Sequence, residues 1–68
     1  MAQRFGEDIE YEGVGVVATT DLALLLAKDD REDWFPKSAI DWSGAVDPQP
    51  GDVLTVYIPD SWVEKKGW

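Results

Sequence analysis

No cysteine and no histidine occurs anywhere in the 68 residues, and that absence limits what the chain can fold into more than any motif does. A domain of this length buries only about 60% of the surface that its unfolded chain exposes. Domains so small are commonly stapled by disulfides or a metal. Without thiols or imidazoles this chain must fold on apolar packing, alone or helped by a partner subunit or target. The usual ligands of zinc, haem and iron–sulfur sites are missing, as are Cys–His and Ser–His catalytic pairs. The expectation is one small domain over residues 1–68, with no cofactor and little room for an active-site cavity.

Alternation supplies the elements. Leu54, Val56 and Ile58 fall on one side of an extended chain and Val53, Thr55 and Tyr57 on the other, which marks Val53 to Ile58 as a strand. From Ile9 to Thr20 the chain is rich in β-branched and aromatic residues, with Phe5 continuing the alternation before it. Gly13 and Gly15 stand where a strand often bulges or bends. A long, bent first strand is expected.

Leu22 to Lys28 is ambiguous. Thr20 or Asp21 can cap a helix and Leu and Ala favour one, but so few residues precede the Asp29-Asp30 pair that a strand covered on both faces fits equally well. The charged run Asp29-Asp30-Arg31-Glu32-Asp33 reads as a turn, and Asp33 to Ile40 as the returning strand of a hairpin. Residues 41 to 52 hold Gly44, Pro48, Pro50 and Gly51 and read as a loop. In the last ten residues Asp60 or Ser61 can cap a short helix. Lys65 and Lys66 suit its C-terminal end, and Gly67 suits a left-handed cap, with Trp62 as the anchor on the sheet.

Six Lys and Arg stand against fourteen Asp and Glu, a net charge of -8. Such a balance opposes direct binding of nucleic acid or anionic lipid, and points instead to a basic protein surface. No apolar run approaches the roughly 18 residues of a membrane span. Met1 to Phe5 lacks an apolar leader, and Ala2 stands where myristoylation requires glycine. A cytoplasmic location is expected.

Two acidic groups are candidates for docking such a surface. Asp29, Asp30, Glu32 and Asp33 sit together in the expected turn, without the spacing of a calcium loop and with Arg31 interposed. Asp8, Glu10 and Glu12, after Glu7, share one face of an extended chain. Each group reads equally as solvated surface, the second as the charged guard of an edge strand. Among four tryptophans, Trp34 and Trp62 are expected in the core. Trp42 and Trp68 are candidate interface anchors, or satellite packing under a loop. Lys37 and Ser38 are adjacent, so on a strand they point to opposite faces and cannot act as a catalytic pair. Gly13-Val14-Gly15 lacks the rest of a phosphate loop. The chain is not expected to be an enzyme.

Two stretches, Trp34-Phe35-Pro36-Lys37-Ser38-Ala39-Ile40 and Ile58 to Gly67 with its Glu64-Lys65-Lys66-Gly67 ending, resemble a group of small uncharacterised proteins of phages and mobile elements. Those proteins carry an aromatic-apolar-Pro-Lys-Ser hairpin strand and a C-terminal Glu-Lys-Lys-Gly segment followed by a hydrophobe. The resemblance spans residues 18 to 68. The chain departs from it in lacking glycine in the hairpin turn, in its long 41–52 loop and in ending the motif on Trp68. It implies a strand at Leu22 to Lys28. The expected fold is therefore mainly β: a small antiparallel sheet or partly open barrel of three to five strands with a short C-terminal helix. The expected function is inhibition of a host defence or nucleic-acid-handling protein by occlusion of a basic surface, as an anti-CRISPR-type inhibitor acts. The alternative is an accessory part of phage replication or recombination machinery, and a homo-oligomer is also open.

Overall fold

The computed structural model describes residues 8–68. The expectations for residues 1–5 and for Glu7 lie outside the described residues. Five strands, β1 (Asp8–Thr19), β2 (Ala23–Lys28), β3 (Arg31–Pro36), β4 (Asp41–Ser43) and β5 (Val53–Pro59), precede one helix, α1 (Asp60–Lys66). The strands form one antiparallel sheet in the order β3-β2-β1-β5-β4. The fold is mainly β with a short C-terminal helix, and of the segment Leu22 to Lys28 the residues Ala23–Lys28 form a strand while Leu22 lies in the bend before it.

The long strand β1 lies at the centre and is bent twice. Tyr11 pairs with Val56 and Val14 with Leu54, so Glu12 and Gly13 together oppose Thr55. Gly13 has φ 70, and this bulge changes the parity of the strand. Before it Ile9 and Tyr11 face the core side, and after it Val14 and Val16 do. A second irregularity lies at Val17, between Val16 opposite Leu26 and Ala18 opposite Leu25. Of the two glycines expected to bend the strand, Gly13 does so, whereas Gly15 pairs regularly with Ala27 and Val53.

The core is the sheet face that carries Val14, Val16, Leu24, Leu26, Phe35, Leu54, Val56 and Ile58, with Ile40 beside it. Trp62, Val63 and Trp68 from the C-terminal segment and Ala45 from the 44–52 loop pack on that face, and Pro48 is also fully buried. α1 begins at Pro59 without a side-chain cap. Asp60 stands in its first turn, where a carboxylate favours the helix dipole, so the expected capping by Asp60 or Ser61 is replaced by proline at the boundary. Its other end is as expected. Gly67 adopts φ 76, and the amides of Gly67 and Trp68 both donate to the Val63 carbonyl at 2.9 Å.

Three other expectations need correction. The charged turn shrinks to Asp29-Asp30, because Asp29 takes φ 56 and Lys28 pairs directly with Arg31; Arg31, Glu32 and Asp33 are strand residues. The returning strand correspondingly ends at Pro36, and Lys37–Ala39 form a 3-10 turn. The 41–52 segment is not all loop, since β4 lies at its start and pairs Trp42 with Val56. The capping chemistry seen at Thr20 closes a β-turn instead of a helix: its hydroxyl accepts from the amides of Leu22 and Ala23 at 3.3 and 3.0 Å.

The two glycines of β1 make the geometry testable. A Cβ at either would meet nothing within 4 Å, so only backbone conformation separates them. Gly13→Val is expected to cost about 1–2 kcal/mol through the left-handed φ. Gly15→Val is expected to be neutral or to stabilise by about 0.5–1 kcal/mol through the lost flexibility of glycine. Urea unfolding of the two variants checks the contrast.

Candidate functional site

The helix covers one face of the sheet, and the register defines the other. Directly opposed residues share a face, so the ladders place Glu32, Ala27, Gly15 and Val53 in one row, Trp34, Leu25 and Ala18 in the next, and Pro36 with Ala23 beyond. Toward the opposite end the same face carries Glu10, Tyr57 and Asp41 in a row, with Ser43 and Thr55, and Asp8 with Pro59. None of these positions is fully buried. Trp34 is 42% exposed and Val53 65%.

This open face has two halves of different chemistry. Around Trp34 it is apolar, with Leu25, Ala18, Ala27 and Gly15 at its centre. Around Tyr57 it is acidic, and among the described residues the strand positions of the face carry Asp8, Glu10, Glu12, Glu32 and Asp41 but no Lys or Arg. The cations of the sheet and helix are held on the other side. Lys28 Nζ lies 5.3 Å from the Tyr11 ring centroid, Lys65 Nζ lies 4.7 Å from that of Trp62, and Lys66 Nζ lies 5.8 Å from Trp62 and 6.0 Å from Phe35. The Arg31 guanidinium reaches Gly67, close to where a side chain there would begin. Among the described residues the Lys and Arg of the sheet and helix thus lie on the helix side, and the strand carboxylates other than Asp33 on the open side.

The candidate residues read from sequence are dispersed by the strand period. Asp29 and Asp30 stay exposed at the tip of the β2–β3 hairpin, where Asp29 accepts from Lys28 at 3.0 Å. Such an exposed pair contributes little to stability. Glu32 points to the open face, and Asp33, one residue on, to the helix face. There Asp33 accepts a 2.6 Å hydrogen bond from the indole nitrogen of Trp68. Glu10 and Glu12 are exposed and Asp8 half-buried, on the face that alternation assigned to them.

Both tryptophans considered as partner anchors are engaged within the chain. Trp68 packs edge-on against Tyr11 and Phe35, with ring centroids 5.6 and 4.9 Å away. Trp42 donates its indole N–H to the Ala45 carbonyl at 2.9 Å and packs on the core under the 44–52 loop. The expected core residue Trp34 is the one that faces out. Trp34 and Phe35 are neighbours on one strand, so only one of them can face inward, and Phe35 is completely buried. Sequence reasoning missed Trp34 as a surface residue, although the adjacency of the two aromatics carried the signal. Trp62 is half-buried against Phe35, at a centroid distance of 6.4 Å.

Among the described residues no group of three or more Asp or Glu is arranged to hold a metal ion, and no helix is long and apolar enough to cross a membrane. The chain matches no protein-family model, no curated protein and no solved structure.

Trp68 closes the end of the helix onto the β3 edge, so its loss should reach the whole domain. Trp68→Ala is expected to lower stability by about 3 kcal/mol. Asp33→Ala, which leaves the indole N–H without its acceptor, should cost about 1–2 kcal/mol. The double variant should cost less than the sum of the two singles, and a thermodynamic cycle from denaturant unfolding measures that coupling.

Proposed function

We propose that this chain is a binding module of the kind carried by phages and mobile elements, which docks its open sheet face on a cationic surface of a host defence or nucleic-acid-handling protein and blocks it. The observation that carries this reading is the charge segregation. A face bearing Glu10, Glu12 and Glu32, with no Lys or Arg at its strand positions among the described residues, presents carboxylates where a nucleic-acid-binding groove expects phosphates. The apolar half beside it, with Trp34 and Val53 exposed, supplies the contact area that charge alone lacks.

The mechanism is competition. Lys and Arg side chains that line a nucleic-acid groove are held apart by their own repulsion, and a rigid acidic sheet neutralises them without the flexibility of a free strand. Carboxylates carried on a paired backbone lose no backbone entropy on docking, and Trp34, on the same strand as Glu32, adds an apolar contact there. The anti-CRISPR type of inhibitor works in this way, by occupying the site of DNA or guide RNA.

The test uses the immobilised protein against the heparin-binding fraction of a bacterial lysate, at low and high salt. A nucleic-acid-handling protein should be retained at low salt and released at high salt. Adding the free chain should then abolish that protein's binding to DNA or RNA. In the double variant Glu10→Lys and Glu12→Lys, affinity should fall by at least about tenfold, mainly through slower association, while the melting temperature is unchanged or raised. Retention that ignores both salt and charge reversal would sink the proposal.

A further inference from the structure

β3 ends the sheet, and the hydrogen-bond phase of the β2–β3 hairpin decides which of its backbone groups face outward. Lys28 pairs with Arg31 across a two-residue turn, and the Lys37 amide donates to the Leu22 carbonyl at 2.8 Å in the same phase. The inward bonds of β3 therefore belong to Arg31, Asp33 and Phe35. The amides and carbonyls of Glu32 and Trp34 point away from β2, and among the described residues no strand lies beyond them. Pro36, the next residue in that phase, has no amide to offer, which limits the outward donors to two.

We infer that the β3 edge is a strand-addition site for an extended cationic segment of the partner, an inference that rests on the binding-module reading above. Backbone pairing alone is indifferent to sequence, so the side chains beside it set the chemistry of the occupant. An added strand would continue the open face with alternate residues, one beside the Glu32 carboxylate and one beside the exposed Trp34 indole. Asp29 and Asp30 stand at the hairpin tip where the segment would run past the end of β3. A lysine or arginine beside Glu32 and a second one, two residues on, over the Trp34 indole satisfy both positions. The matching segment is extended, with basic and apolar residues in alternation.

The probe is a short blocked peptide in which lysine alternates with valine, with a glutamate–valine peptide as the control. Amide exchange is followed by NMR. In the free protein the amides of Glu32 and Trp34 should exchange fast and those of Asp33 and Phe35 slowly. The lysine peptide should protect Glu32 and Trp34 by at least about tenfold, and the glutamate peptide should not. Glu32→Pro removes an outward donor and spares the inward ladder, so it should abolish binding. Glu32→Gln, which removes only the charge, should weaken it a few-fold. If the proline variant does not fold, the protection pattern in the natural sequence decides alone. Peptide binding that perturbs Glu10 and Glu12 but leaves the Glu32 and Trp34 amides unprotected would overturn the edge site while the open-face reading stands. Protection of these amides that grows with protein concentration in the absence of peptide would assign the edge to a second copy and overturn the inference. If the captured host protein binds but its contacts do not protect β3, the edge site fails. If no host protein is held by charge, the functional reading itself fails.

Discussion

Everything on the helix side of this sheet depends on the parity change at Glu12 and Gly13. A strand without that bulge would place Val14 and Val16 on the same face as Asp8, Glu10 and Glu12, and the core would lose its centre. With it, Ile9 and Tyr11 join Val14 and Val16 opposite Leu54, Val56 and Ile58. Only glycine takes φ 70 there without strain, so one residue lets a twelve-residue strand serve as the middle of a one-sided core. The acidic start of β1 is kept on the outside by the same device.

One-sidedness then follows from size. Among the described residues a seven-residue helix with Trp68 behind it, the short turn that carries Ala39 and Ile40, and the 44–52 loop cover the helix face, and aromatic rings close it. Gly67 turns the chain back, Trp68 lies across Tyr11 and Phe35, and its indole nitrogen meets Asp33 at the β3 edge. Edge-on aromatic pairs of this kind add about 0.5–1.5 kcal/mol each beyond the area they bury. In a domain whose whole stability is of the order of 5 kcal/mol, that is a considerable fraction. Among the described residues the rings that seal the helix side leave Trp34 and Tyr57 for the other face.

Much of this was legible in the residues. The β5 alternation, the long bent β1, the left-handed Gly67 and the acidic face of Asp8, Glu10 and Glu12 all follow from local period and local conformation, which short-range patterns encode well. What could not be read were the features set by pairing. The turn at Asp29-Asp30 was drawn too wide because a cluster of five charged residues looks like loop until Lys28 is known to face Arg31. β4 was missed because Asp41-Trp42-Ser43 has little strand character of its own and is held by β5. The same holds for two of the tryptophans. Trp34 reads as core and Trp68 as an interface anchor or satellite packing, yet the ladder turns the first outward, and a hydrogen bond to a residue thirty-five positions away holds the second against its own chain.

The charge distribution gives the open face its character. A domain of net charge -8 with a small core is destabilised by its own field, and the cost is least when like charges are spread through solvent. Among the described residues Lys28, Lys65 and Lys66, which could have relieved Glu10, Glu12 and Glu32, lie instead over aromatic rings on the helix side. Their absence from the sheet's other side leaves Glu10 and Glu12 flanking Tyr57 and Thr55 with a repulsion that a cationic surface would discharge on docking. Apolar exposure at Trp34 acts in the same direction, since water on an indole and its apolar neighbours is released when a partner covers them. Both terms favour the covered state over the free one, and neither is needed for the sheet to fold.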